Sequence, residues 1–128
     1  MNYKGYKDLE CYKQAGELRI YVSGLSKKSR SFENFSLAAQ INASGSITAN
    51  IGEGYGRFMY TDTRNFFTIA RGSVTEVREH LTTSYGENYI STETGEGKCE
   101  TVFKLINGYM SYLDRSKSQS KKQHGLNS

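Results

Sequence analysis

The 128-residue chain contains no proline and no tryptophan, and only two cysteines and two histidines. Without proline, nothing interrupts a helix at the ~3 kcal/mol that an internal proline costs, so long helices are permitted throughout. Cys11 and Cys99 form no Cys-x-x-Cys pair. They read as free thiols of a reducing compartment, and a metal site would need more ligands than they supply. His80 and His124 are the only imidazoles, and the second lies in the polar C-terminal segment. A nucleophile–base–orienter set is therefore hard to assemble. No apolar run reaches the ~18 residues that a spanning helix requires. The first thirteen residues are polar and lack the apolar stretch of a secretory leader. These absences point to a cytoplasmic protein that makes no membrane contact, carries no cofactor and is not an enzyme.

What is present fits one domain. Apolar residues make up 36% of the chain and charged residues 23%, polar for a globular domain but enough for one core. Seventeen Lys and Arg face thirteen Asp and Glu, a formal charge of +4. Part of that excess is local. From Arg115 to Ser128 stand Arg115, Lys117, Lys121 and Lys122 with no acid, so the body of the chain is near neutral.

Helical periodicity dominates. After Asp8, a candidate N-cap, small or apolar residues fall at Cys11, Ala15, Leu18, Val22 and Leu25. The alternating spacings of four and three mark one face of a helix. A second segment, 34–58, has the seam Leu37, Ile41, Ser44, Ile47 or Thr48, Ile51, Tyr55 and Phe58. Small residues, Ala43 and Gly45 among them, crowd that face and predict close approach of a neighbouring helix. Thr61 or Asp62 can cap a third segment, whose seam is Phe66, Ala70, Ser73, Val77 and Leu81 and which should end near Gly86. Turn chemistry over 91–98 leads to a fourth, with Val102 or Phe103, Ile106, Tyr109, Met110 and Leu113. The pattern predicts an all-α, antiparallel up-down-up-down four-helix bundle over residues 1–115, followed by a disordered basic tail over 116–128.

Chemistry-bearing motifs are few. Gly52-Glu53-Gly54-Tyr55-Gly56-Arg57 has glycines at alternate positions but lacks the Gly-Lys-Ser/Thr of a phosphate loop and follows no strand. The glycines read as packing positions, and Glu53 and Arg57 as a helix-surface pair; Glu76 and His80 form another. That second spacing differs from the Glu-x-x-His of di-iron bundles, so no metal is expected. Ten tyrosines are unusual. Tyr12, Tyr21, Tyr55 and Tyr109 lie on or beside seams, where amphipathic rings suit boundary packing, a subunit interface or a base-stacking platform. Lys13, Arg19, Lys27, Lys28 and Arg30 fall on polar positions of the first helix and its flank. With Arg57 they are the candidate nucleic-acid-binding residues. An assembly of several copies would multiply that patch and attract phosphate by counterion release.

Three ordered motifs carry a resemblance. Tyr6-Lys7-Asp8-Leu9-Glu10, Asn50-Ile51-Gly52-Glu53-Gly54-Tyr55-Gly56-Arg57 and the stretch from Phe66 to Glu76 (FFTIARGSVTE) resemble the four-helix bundle proteins encoded in intervening sequences of bacterial 23S ribosomal RNA genes. The accessory variability proteins of diversity-generating retroelements are similar to that family in fold. The matching signature positions are Asp8, Asn50, Glu53, Gly54, Gly56, Arg57, Gly72, Ser73 and Glu76. The resemblance implies a homopentameric ring, a basic protein that binds RNA or single-stranded DNA weakly and, in the retroelement branch, a reverse transcriptase partner. The chain departs from the pattern at Asn42-Ala43, where relatives carry an arginine pair. The competing expectation is a protein–protein module that only self-assembles.

Overall fold

The computed structural model describes residues 5–26, 34–86 and 93–126. A single 3-10 turn at Tyr6–Asp8 precedes four helices: α1 (Glu10–Ser26), α2 (Asn34–Tyr55), α3 (Tyr60–Gly86) and α4 (Glu93–Leu126). Each helix packs on its two neighbours in a closed square, α1 on α2, α2 on α3, α3 on α4 and α4 on α1. Among the described residues the backbones of diagonal helices stay apart.

Side-chain register shows that α3 and α4 run in opposite directions. Arg64 meets Asp114, Arg71 meets Asn107, and Arg78 meets Glu100. Each seven-residue step up α3 is matched by an equal step down α4. Helices α2 and α3 behave alike, with Gly54 against Phe66 and Phe67 and Ser46 against Ser73 further along. On the remaining faces, Tyr6 meets Gly52 while Arg19 meets Gly45, and Tyr21 lies beside Gly95 near the start of α4.

The core follows from the heptad-like spacing. Cys11, Ala15, Leu18 and Val22 of α1 are buried, as are Ala70, Ser73, Val77 and Leu81 of α3. From α4 come Val102, Ile106 and Met110. On α2 the buried line is Gln40, Ala43, Ser44, Ile47, Thr48 and Ile51. Ile41 is only partly buried, because the apolar stripe turns about one position away from the expected seam. Leu37 lies where side chains are not described.

Several local expectations are corrected. Asp8 does not cap α1: it sits inside the 3-10 turn, and the carbonyl of Leu9 accepts the first helical bond, from the Lys13 N–H at 3.1 Å. Helix α3 likewise starts from Met59, whose carbonyl accepts from the Thr63 N–H at 3.0 Å, so neither Thr61 nor Asp62 is its cap. Asp62 instead places its charge in the first turn, where the helix dipole favours an anion. Phe58 does not extend the α2 seam. The helix ends at Tyr55, and Phe58 stands fully exposed in the turn. Residues 116–126, expected as a disordered tail, are helical as the end of α4. The stretch has no proline and no glycine before Gly125, and serine, lysine and glutamine tolerate a helix. Arg64 and Tyr60 both bond Asp114, and the Lys117 ammonium lies 4.3 Å from the Tyr60 ring centre, so the root of this extension is pinned to α3.

No described helix is long and apolar enough to cross a membrane.

Candidate nucleic-acid interface

Helix α1 presents a polar edge beside α2. Arg19 is exposed on it, and Lys13, six residues earlier and about 120° round the helix, is exposed on a different face. Neither side chain has a salt-bridge partner among the described residues. Arg57, in the turn after α2, is bound instead. Its guanidinium is 3.4 Å from the Glu53 carboxylate and lies 4.8 Å from the Phe66 ring centre. Lys27, Lys28 and Arg30 lie outside the described residues. Of the six sequence candidates, Lys13 and Arg19 on α1 have no salt-bridge partner among the described residues, and Arg57 is paired with Glu53.

Arg19 borders an open groove of about 550 Å³ between α1 and α2, lined by Tyr6, Tyr12, Gly45, Thr48, Ala49, Gly52 and Glu53. Two glycines shape it. A Cβ on Gly52 would stand 3.3 Å from the Tyr6 ring, so its absence lets that ring lie against α2. At Gly45 the nearest atom to a Cβ would be Arg19 Nε at 3.9 Å, so the guanidinium spans the bare helix there. Gly45 is thus a groove position and not the crowded seam position expected from the sequence. Tyr6 and Tyr12 meet edge to face, ring centres 5.1 Å apart. The arrangement sets an aromatic corner at one end and an unpaired guanidinium at the other, with the Arg57-bound Glu53 carboxylate on the rim.

The signature positions separate into two groups. Asn50 donates to the Ser46 carbonyl at 2.8 Å and to the Ser46 hydroxyl at 2.9 Å, and Ser73 donates to the same hydroxyl at 3.0 Å. Asn50 and Ser73, 23 residues apart in the chain, are joined through Ser46 in a polar clasp between α2 and α3. Gly54 is buried and packs on Phe66 and Phe67. The others face outward. Gly72 has open space around it, Gly56 and Asp8 are exposed, and Glu76 reaches His80 at 3.8 Å. In the departure pair, Asn42 is exposed while Ala43 is buried in the core.

Sequence reasoning missed the arginine ladder. Arg64, Arg71 and Arg78 recur every seven residues on α3, and Asp114, Asn107 and Glu100 answer them on α4 at 3.0, 2.8 and 3.3 Å. The matching seven-residue intervals were the available signal. Their consequence for binding is direct: three arginines are engaged within the bundle. Among the described residues no group of three or more His, Cys, Asp or Glu could hold a metal ion.

The sequence profile of the 23S rRNA-intervening sequence protein family matches residues 7–108, four-fifths of the chain. The chain belongs to this family. The matched span covers α1, α2, α3 and the first part of α4, and it includes the Asn50–Ser46–Ser73 clasp and, apart from Tyr6, the residues of the α1–α2 groove. As a 23S rRNA-intervening sequence protein it is an all-α four-helix bundle. No curated protein matches the chain.

Proposed function

We propose that this chain is a non-enzymatic accessory protein that self-assembles, as a pentamer, and holds RNA or single-stranded DNA weakly through charge, beside a polymerase such as a reverse transcriptase. The observation that carries the reading is that Lys13 and Arg19 of α1 have no salt-bridge partner among the described residues, while the arginines of α3 are bound within the fold. The helical basic stretch of α4, with Arg115, Lys117, Lys121 and Lys122 and no acid beyond Asp114, adds a second cationic element. Repetition around a ring would sum these weak fields. The test is affinity for a short labelled RNA over a salt series. Binding that weakens steeply and log-linearly with salt supports the reading. Binding indifferent to salt, or none at low salt, overturns it.

A second reading, a module that binds only protein and itself, is favoured by the exposed apolar side chains Ile20, Phe58, Met59, Ile69 and Tyr112. Phe58 and Met59, adjacent in the turn before α3, are the two of them that lie next to each other in the chain. This reading predicts an assembly with no affinity for RNA.

A further inference from the structure

The groove between α1 and α2 has a composition that neither helix packing nor a diffuse basic face explains. A packing groove has no use for an unpaired guanidinium, and a purely electrostatic face has no use for an aromatic corner. Gly45 and Gly52 are seven residues apart on α2, roughly 10 Å along the helix axis. The guanidinium of Arg19 sits over the first and the ring of Tyr6 against the second. That span matches a base at one end and a phosphate of the same or the next nucleotide at the other. Tyr6 and Tyr12 meet edge to face with an interplanar angle of 77°, so a flat base stacks on one of the two rings and meets the other at an angle. Bases without sequence identity stack on tyrosine because every base has a π-face.

We propose that this groove is a nucleotide-binding site for single-stranded nucleic acid. The base packs on the Tyr12 and Tyr6 rings, the Arg19 guanidinium binds the backbone phosphate, and the Glu53 carboxylate accepts a hydrogen bond from an exocyclic amino group of the base. Glu53 keeps its bond to Arg57, so the rim is neutral as a pair and does not repel the strand as a lone carboxylate would. The site holds both the RNA and the DNA sugar, since none of its named contacts requires the 2′-hydroxyl. The proposal rests on the nucleic-acid reading above and locates it in one groove.

The test is fluorescence anisotropy with a short fluorescein-labelled oligo-cytidine, whose base carries an exocyclic amino group, and its deoxycytidine counterpart at low salt, on the full chain. Three variants address the groove: Tyr12→Leu removes the π-face but keeps apolar bulk, Arg19→Gln removes the cation, and Gly45→Leu fills the floor. Lys104→Gln, on α4 and outside both the groove and the cationic stretch that begins at Arg115, serves as a charge control. Circular dichroism verifies that each variant keeps its helices. Tyr12→Leu should weaken binding roughly 5- to 100-fold, the range for loss of one stacked base. Arg19→Gln should weaken it and lower the salt slope by about one phosphate contact. Gly45→Leu should weaken binding without changing net charge, which a diffuse electrostatic face would not do. If the wild type binds in a salt-dependent way while all three groove variants match it, the groove proposal fails and the accessory reading stands. If the wild type does not bind at low salt, both fail. An RNA affinity well above that for DNA would refute the sugar-indifferent form of the site.

Discussion

Gly54, in the last turn of α2, and Gly72, in the interior of α3, are two helical glycines for which the structure predicts opposite responses to the same substitution. A Cβ on Gly54 would lie 2.7 Å from Phe66 Cβ and 3.1 and 3.2 Å from Phe67 ring carbons. The Phe66 Cβ is fixed to its backbone and cannot swing aside, and Phe67 is fully buried with its ring centre 4.6 Å from that of Tyr109. Relief of the clash requires α2 and α3 to separate, and overpacking of this kind costs about 1–3 kcal/mol. Alanine recovers at most about 1 kcal/mol of helix propensity. Gly54→Ala should therefore lose about 1 kcal/mol net. A Cβ on Gly72 meets nothing within 4 Å, so Gly72→Ala should keep the whole propensity gain of about 0.5–1 kcal/mol. For a domain of this size the two melting temperatures should separate by roughly 5–10 °C, with the wild type between them. Thermal denaturation followed by circular dichroism at 222 nm reads this directly. If Gly54→Ala melts above the wild type, as Gly72→Ala should, the close α2–α3 crossing is wrong.

Other consequences are as specific. Ala43 is 5% exposed, so Ala43→Leu should cost about 1–3 kcal/mol by overpacking, read as a lower urea midpoint; an unchanged midpoint would place it on the surface. Burial raises the Cys11 and Cys99 thiols to about 11. At pH 8 both should resist a thiol reagent until the chain unfolds, and rapid stoichiometric labelling of native protein would contradict their core positions. Hydrogen bonds from Arg64 and then Tyr60 hold the Asp114 carboxyl below its ordinary value. A lowered folded value means the contribution is present above about pH 4 and is lost as acid is added. Asp114→Asn should therefore lower the melting temperature slightly at pH 7 and shrink the drop between pH 7 and pH 3. An unchanged drop would show that the carboxylate is not engaged.

The elements were legible because burial at helical spacing leaves a direct trace: Cys11, Ala15, Leu18 and Val22 were read as one face and all are buried. Helix starts were not, because the first carbonyls of α1 and α3 belong to Leu9 and Met59, whose side chains give no capping signal while Asp8 and Asp62 nearby do. Phe58 misled because it keeps the seam register after the helix has stopped. The Glu53–Arg57 pair was legible from its own spacing. The arginine ladder was not, since Arg64 and Asp114 lie 50 residues apart. The groove was half-visible. The small residues of α2 were noticed, but whether Gly45 meets a helix or open space depends on the direction Arg19 takes across it, which one-dimensional periodicity does not encode.

Solution mass by light scattering, with and without short RNA and at low and moderate salt, reads both the proposed assembly and its proposed hold on nucleic acid. The account predicts a mass near five chains that rises with RNA at low salt and falls back when salt is added. A monomer, or an assembly whose mass ignores RNA at low salt, would contradict it.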